Sequence, residues 1–363
     1  MASPVWAVIV FEASDGSQSG ATTEGRPYMI FLSTDFATAL LAPIARLALL
    51  GRLSLAWLTM NQEFADETKP GALEEEAFDE TAENAFTLRE RDVETPDGVA
   101  RIAYVVCEPL AEAGFTNAFS TRLGGTSPLP EAALNLTNFK GDTPDNVAEN
   151  RRRFLNAIGA ADATIVTARQ THSTDRCLIQ SIEQARGFRN ECDALITRLT
   201  GVLLGIQTAD CLPILIADTE SKVMAAIHAG WRGTASRITE RAVADLMLQH
   251  GLSPRHCIAA LGPTACEQCY EIGGDVIERF KTEFRYWPSL LVNFKEGGKA
   301  HLDIRAANRQ QLLFCGFTED SIYVADYCTM HQNDLFFSHR SEGRKSASGA
   351  GRLLSVIGRI AQD

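Results

Sequence analysis

From Gly98 onward the sequence predicts a mixed α/β or α+β body, preceded by an extension of different character. Short apolar runs of strand length alternate there with stretches of helical period, and the helical stretches carry caps and stops. Residues 1–97 show neither property.

Within the extension, the apolar run 37–58 approaches the length of a membrane span but is broken by Pro43, Arg46, Gly51 and Arg52. Each arginine near its middle would cost about 2.5–3.5 kcal/mol on insertion. The run therefore reads as a poorly specified segment with at most a marginal helix, not as a membrane anchor. The first ten residues lack the basic start of a secretory leader. Residues 73–83 are strongly acidic and read as a solvated linker. The boundary is drawn between Asp97 and Gly98, with 1–97 a flexible extension and 98–363 the folded body. Residues 1–90 are expected to be dispensable for that body's activity.

In the body, Thr143 and Pro144 open a helix as its cap and first residue. Val147, Phe154, Leu155 and Ile158 mark its inner face, and Gly159 ends it. Runs 202–207, 212–216 and 222–228 read as buried strands. A helix from about Thr234 turns Ile238, Leu246 and Met247 inward and stops at Gly251. A strand at 258–261 and helices at 275–284 and 304–314 follow, the last ending at Gly316.

The net charge of -12 is unevenly placed, since thirteen acids against three bases lie in residues 61–97. The body is left near neutrality, without the basic excess that draws proteins to nucleic acid. Nucleic acid is excluded as a partner on that ground. Nine cysteines, an odd number, are scattered from Cys107 to Cys328. In a chain this long they are no disulfide framework and fit free thiols in a reducing, cytoplasmic compartment.

Three segments share one form, a strand-like run that breaks into a residue able to bind metal. They are Ile165-Val166-Thr167 leading to His172, Gly205-Ile206-Gln207 leading to Cys211, and Met224-Ala225-Ala226-Ile227 ending at His228. Strand ends followed by loops are where a rigid scaffold aims side chains at one point. Met224, Ala226 and His228 share one face of their strand, and the alanines there would leave room for a ligand. Two imidazoles and a thiolate suit a borderline-soft ion such as zinc, and three protein ligands leave a fourth position for water or substrate. Taken singly, each residue also fits a satisfied core or surface histidine, or an inert buried cysteine.

The runs Gln170-Thr171-His172, Thr208-Ala209-Asp210-Cys211-Leu212-Pro213 and His228-Ala229-Gly230-Trp231-Arg232-Gly233-Thr234 resemble the signatures of the laccase-domain family of YfiH/YlmD type, formerly labelled polyphenol oxidase. Further stretches agree: Phe119-Ser120-Thr121-Arg122-Leu123-Gly124-Gly125, Asn135-Leu136 with Gly141-Asp142, and Glu191-Cys192-Asp193-Ala194-Leu195. So do Leu261-Gly262-Pro263 with Cys269-Tyr270-Glu271, Phe336-Phe337-Ser338-His339-Arg340, and Gly351-Arg352. The match runs from about Gly98 to Ile360 and leaves 1–97 outside. The resemblance implies a single layered α/β/β/α domain and zinc on His172, Cys211 and His228. It also implies phosphorolysis of purine nucleosides (adenosine, inosine, methylthioadenosine) with some adenosine deamination, so nucleoside and phosphate are the expected partners. Two segments depart from the family pattern near the expected substrate mouth, 126–133 and 137–140, and they bear on substrate preference.

Arg122, between a strand-like run and two glycines, can hold phosphate through a bidentate contact, or can be a surface arginine in a turn. Asp210 can orient a ligand imidazole or take part in proton transfer, provided the chain bends there. Trp231 and Arg232 either shape the substrate pocket or cover a strand end, and Arg232 joins Arg122 as a candidate for substrate and phosphate. Cys266 and Cys269 form a C-x-x-C, but no partner pair has the matching spacing, and packing is the favoured reading. His301, near Asp303, reads as structural. A multicopper oxidase would need many histidines with His-x-His pairs, whereas this chain has seven histidines and no such pair. Two rivals remain: a cysteine hydrolase with Cys211 as nucleophile and His228 as base, and a non-enzymatic zinc-binding module.

Overall fold

The computed structural model describes residues 85–129, 131–139, 141–343 and 349–360 in full, and residues 6–12 and 27–33 as backbone. The apolar run 37–58 and the acidic segment 73–83 lie outside the described residues. Contacts divide the chain into two units, Met1–Glu76 and Ala77–Asp363. In the first, β1 (Trp6–Glu12) and β2 (Pro27–Ser33) form an antiparallel pair with Trp6 opposite Ser33.

The second unit begins with β3 (Phe86–Thr95), β4 (Gly98–Cys107), the short helix α1 (Glu108–Glu112), β5 (Thr116–Ser120) and helix α2 (Pro144–Ala157). Next come β6 (Thr164–Thr167), β7 (Arg176–Ile179), α3 (Ile182–Gly187), β8 (Ala194–Thr197), β9 (Val202–Thr208), β10 (Leu212–Asp218) and β11 (Met224–Ala229). They are followed by α4 (Trp231–Ala235), α5 (Ile238–His250), β12 (Cys257–Leu261), β13 (Glu271–Ile272), α6 (Gly274–Glu283) and β14 (Leu291–Lys295). The last elements are β15 (Lys299–Leu302), α7 (Ile304–Phe314), β16 (Ile322–Val324) and β17 (Leu353–Gly358). The local rules work as read. Thr143 Oγ1 accepts from the Asn146 N–H with Pro144 behind it, and Gly251 closes α5 in the left-handed region at φ +66°.

Two six-stranded mixed sheets stack on each other. The first has the order β3-β4-β5-β17-β9-β6 and the second β16-β12-β10-β11-β8-β7, with a small β13-β15-β14 sheet beside them. Leu204, Ile206, Leu215, Met224, Ala226 and Ile357 fill the space between the two sheets. On the outer face of the first sheet, Phe154 and Ala157 of α2 pack on Leu203, Leu354 and Val356. On the outer face of the second, α5, α6 and α7 cover Ile214, Ala225 and Ile227. The result is a layered α/β/β/α domain. β9, β10 and β11 are buried along nearly their whole length, which is why they appear in the sequence as continuous apolar runs.

The boundary drawn at Asp97 falls in the turn of a hairpin. β3 pairs with β4 over its full length, from Phe86 opposite Cys107 to Thr95 opposite Gly98. β3 is an edge strand, exposed at almost every position and rich in charge, so it carries no apolar alternation to read. A chain starting near Arg91 would lose half of this strand.

Candidate metal centre

Three loops meet at one end of the stacked sheets. The segment after β6 brings His172 across from the first sheet. The crossing from β9 in the first sheet to β10 in the second delivers Cys211, and the end of β11 delivers His228. Both crossings use strained backbone, with His172 at φ +60° and Asp210 at φ +89°. Gln170 fixes the first loop like an added strand. Its Nε2 donates to the Gln207 carbonyl at 2.7 Å, and the Gln207 N–H donates to its Oε1 at 2.8 Å.

The donor atoms of His172, Cys211 and His228 all lie within 4.8 Å of one another. Cys211 Sγ is 3.8 Å from His172 Nε2, and the two imidazoles stand edge to face with centroids 4.8 Å apart. A tetrahedral ion with bonds of about 2.0–2.3 Å separates its sulfur and nitrogen ligands by about 3.6 Å. The trio fits that spacing. Gly230 is required beside it, because a Cβ there would lie 2.9 Å from His172 Cδ2 and 3.1 Å from Cys211 Sγ. His228 is buried, Cys211 half-buried and His172 exposed, so the cluster opens toward solvent on the His172 side.

Asp193, at the start of β8, organises this centre. Its Oδ1 is 2.7 Å from His228 Nδ1, which leaves Nε2 as the free donor of that ring. The same carboxylate accepts from the backbone N–H groups of His172 at 3.1 Å and Ser173 at 2.7 Å, and from Ser173 Oγ at 2.8 Å. The His228 N–H donates to the Asp193 carbonyl at 2.7 Å across the β8–β11 pairing. One buried side chain thus holds two of the three metal-binding segments. Burial alone would raise its carboxyl, but the His228 ring and the Ser173 donors hold it at about 2. Burial opposes ionisation of Cys211 as well, yet the charge of His228 and contacts with both imidazoles bring the thiol down to about 6. Burial would discharge His228, but the Cys211 thiolate and Asp193 hold it protonated up to about 9. Each group thus favours the charged form of the other, a thiolate beside an imidazolium.

Other candidate residues fall elsewhere. The bend at Asp210 is present, but its carboxylate is bonded to the loop near the C-terminus. Oδ1 accepts from Thr329 Oγ1 at 2.7 Å and Oδ2 from the Arg340 N–H at 2.7 Å, so Asp210 ties down the C-terminal loop. The orienting carboxylate is Asp193. Arg122 is not a free fork for phosphate either. It is buried, paired with Glu342, donates to the carbonyls of Asn333 and Leu129, and sits 4.6 Å from the Phe337 ring centroid. The alanines beside His228 leave no ligand space, because Ala226 packs in the inter-sheet core. Arg232 is exposed, lies over the Trp231 ring with its Cζ 4.3 Å from the centroid, and pairs with no carboxylate among the described residues. The described residues of 126–142 are held by Asn150, which bonds Thr126, Ser127, Ala133 and Asn135, and by Asp142, which accepts from Ser127 and Asn135. His301 is buried in β15 and Asp303 caps α7, as structural residues. Cys266 and Cys269 do have a partner pair, since Cys328 and His331 bring their donor atoms within 4.8 Å of both.

A family model described as multi-copper polyphenol oxidoreductase laccase matches residues 116–360. A purine nucleoside phosphorylase of Deinococcus radiodurans is 39% identical over 244 residues, 67% of this chain and 88% of the relative. A protein named adenosine deaminase RL5, from an unknown prokaryotic organism, is 35% identical over 236 residues, 63% of this chain and 90% of the relative. The crystal structure of YlmD from Geobacillus stearothermophilus superposes with a TM-score of 0.63 at 30% identity, covering 75% of this chain and all of that one.

Proposed function

The chain belongs to the multi-copper polyphenol oxidoreductase laccase family, and on that premise we propose that it is a zinc-dependent enzyme of purine nucleosides. Its main reaction is phosphorolysis of adenosine, inosine or methylthioadenosine, with adenosine deamination at the same centre. The observation that carries this reading is the convergence of His172, Cys211 and His228 within 4.8 Å, with Asp193 holding His228 Nδ1. Relatives named for phosphorolysis and for deamination both support it. Nine free cysteines support a cytoplasmic setting, and no helix of the described residues is long and apolar enough to cross a membrane.

When bound, zinc supplies a Lewis acid at a position open to water or substrate. The chain's own residues do the rest. A glycosidic bond to a purine breaks through a cation-like sugar, so an anionic nucleophile must be placed against it and held. Arg232 is the guanidinium we assign to phosphate, because it is exposed, lies over the Trp231 ring and is unpaired with any described carboxylate. The test is initial rate against phosphate concentration, with adenine and ribose 1-phosphate quantified separately. Arg232→Lys keeps the charge but loses the fork, and the KM for phosphate should rise about tenfold or more, the loss of one charge-assisted contact. Free ribose formed at an unchanged rate without phosphate overturns the phosphorylase reading. Inosine as sole product leaves the deaminase. Copper in place of zinc in the purified protein overturns the metal assignment.

The thiolate–imidazolium pair of Cys211 and His228 favours a second reading, a cysteine hydrolase. That reading expects inactivation by iodoacetamide and full activity after chelation. Retained activity in a chelated sample distinguishes it from the zinc enzyme.

A further inference from the structure

On the far side of Asp210 lies the cluster of four ligating side chains that spacing alone did not pair. Cys266 and Cys269 sit in one tight turn, closed by the Cys269 N–H on the Cys266 carbonyl at 3.0 Å and the Tyr270 N–H on the same carbonyl at 2.9 Å. Cys328 and His331 sit in a second turn of the same spacing, closed by the Gln332 N–H on the Cys328 carbonyl at 2.9 Å. A parallel bridge between Thr264 and Cys328 joins the two turns. All four donor atoms lie within 4.8 Å of one another, and Cys266 Sγ is 3.6 Å from His331 Nδ1. That is about the sulfur–nitrogen edge of a zinc tetrahedron with bonds of about 2.3 and 2.0–2.1 Å.

The backbone supports a sulfur ligand there. The N–H of Cys266 donates to Cys328 Sγ at 3.4 Å, and the N–H of His331 donates to the same sulfur at 3.5 Å. Such donors orient a coordinating thiolate and spread its charge. Cys266 and Cys328 are buried, Cys269 is half-buried and His331 is exposed beside a cavity of about 340 Å³, which gives an ion a path in.

We propose that Cys266, Cys269, Cys328 and His331 form a second metal site, a closed Cys3His site of the structural zinc class, distinct from the centre on His172, Cys211 and His228. Four protein ligands leave no position for substrate. The site clamps the loop after β12 to the loop after β16, and both loops hold Asp210. Thr264 Oγ1 and the Ala265 N–H donate to the Asp210 carbonyl at 2.6 and 3.1 Å, while Thr329 Oγ1 donates to its carboxylate. The role is to fix the bend that aims Cys211.

The test uses the full chain expressed with zinc. Elemental analysis should give two metals per chain in the native protein, one in Cys211→Ala, one in Cys328→Ser and none in the double variant. Cobalt replacing zinc in Cys211→Ala should show the charge-transfer absorption of several thiolates, lost when Cys328→Ser is added. Should Cys328→Ser fail to fold, Cys211→Ala alone decides: chelation should release its one metal and unmask three thiols together. A Cys211→Ala protein with no metal and promptly reactive thiols overturns the second site, as does a disulfide among Cys266, Cys269 and Cys328 found by mass. One metal in the native protein that survives Cys211→Ala would instead sink the first centre and leave the second standing.

Discussion

The two ligand clusters of this chain differ in charge and in what stands behind them. The first gathers two imidazoles and one thiolate from three loops, and a buried carboxylate backs its His228. The second gathers three thiols and one imidazole from two tight turns, and backbone N–H groups back its Cys328. With a divalent ion bound, the first would carry a net positive charge and a free position, the second a net negative charge and none. A positive, open centre attracts anions and polarises what it binds, whereas a negative, closed one does neither. The comparison teaches that ligand count and support, not the presence of metal, separate chemistry from scaffolding.

The largest difference should appear when each cluster loses a thiol. Cys211→Ala should abolish nucleoside turnover, while Cys269→Ala should lower the melting temperature and keep measurable turnover. Equal loss of turnover at equal stability would erase the distinction. Asp193→Asn comes next. Removing an outer carboxylate from a metal-bound imidazole typically costs about 10–100-fold in metal affinity, to be read by competition with a chelator. The native carboxyl, depressed to about 2, contributes stability that is present above its ordinary value near 4 and is lost as pH falls toward 2. The amount is on the order of 2 kcal/mol, and acid unfolding of Asp193→Asn should show a flatter pH dependence in that window.

The first centre should also titrate on binding. Between pH 7 and 9 Cys211 is already a thiolate and His228 still holds a proton, so binding must displace about one proton. Apparent affinity should climb about tenfold per pH unit and level off above about 9. A flat profile from 7 to 9 would contradict the pairing. Gly230→Ala should be milder, a several-fold loss of metal affinity with the fold intact, since a methyl there meets His172 and Cys211 directly. Smallest of all, removing residues 1–76 should leave turnover within about twofold, whereas a start at Arg91 should lower the melting temperature by breaking β3. Loss of activity in the 77–363 protein would make the first unit part of the enzyme.

What could be read from the sequence follows from physics as much as from motif. Val202–Thr208 and Leu212–Asp218 announced themselves because a strand buried on both faces is apolar at every position. Phe86–Thr95 was hidden because an exposed edge strand has no buried face to alternate. His172, Cys211 and His228 were visible as residue types at strand ends. Asp193 stood inside a quoted motif, yet its grip on His228 exists only through the β8–β11 register, which no single segment encodes. Asp210, adjacent to a ligand in sequence, spends its carboxylate on Thr329 and the Arg340 N–H, more than a hundred residues further on. Arg122 looked free beside two glycines, and its partner Glu342 lies 220 residues further on. Cys328 and His331 lie about sixty residues beyond Cys266, and a mixed cysteine–histidine pair does not advertise its partner.

The place of β17 has a consequence for how the chain is made. It follows every other described strand in the sequence, yet it is a middle strand of the first sheet, bonded to β5 on one side and β9 on the other. Until residues 353–358 leave the ribosome, β3-β4-β5 and β9-β6 are two ribbons with open edges. The crossing from β9 to Cys211 starts from one of those ribbons, so the candidate metal centre takes shape only once residues 353–358 have been made. A chain that stops shortly before Leu353 would therefore carry an unsealed sheet, a substrate for proteases more than for nucleosides.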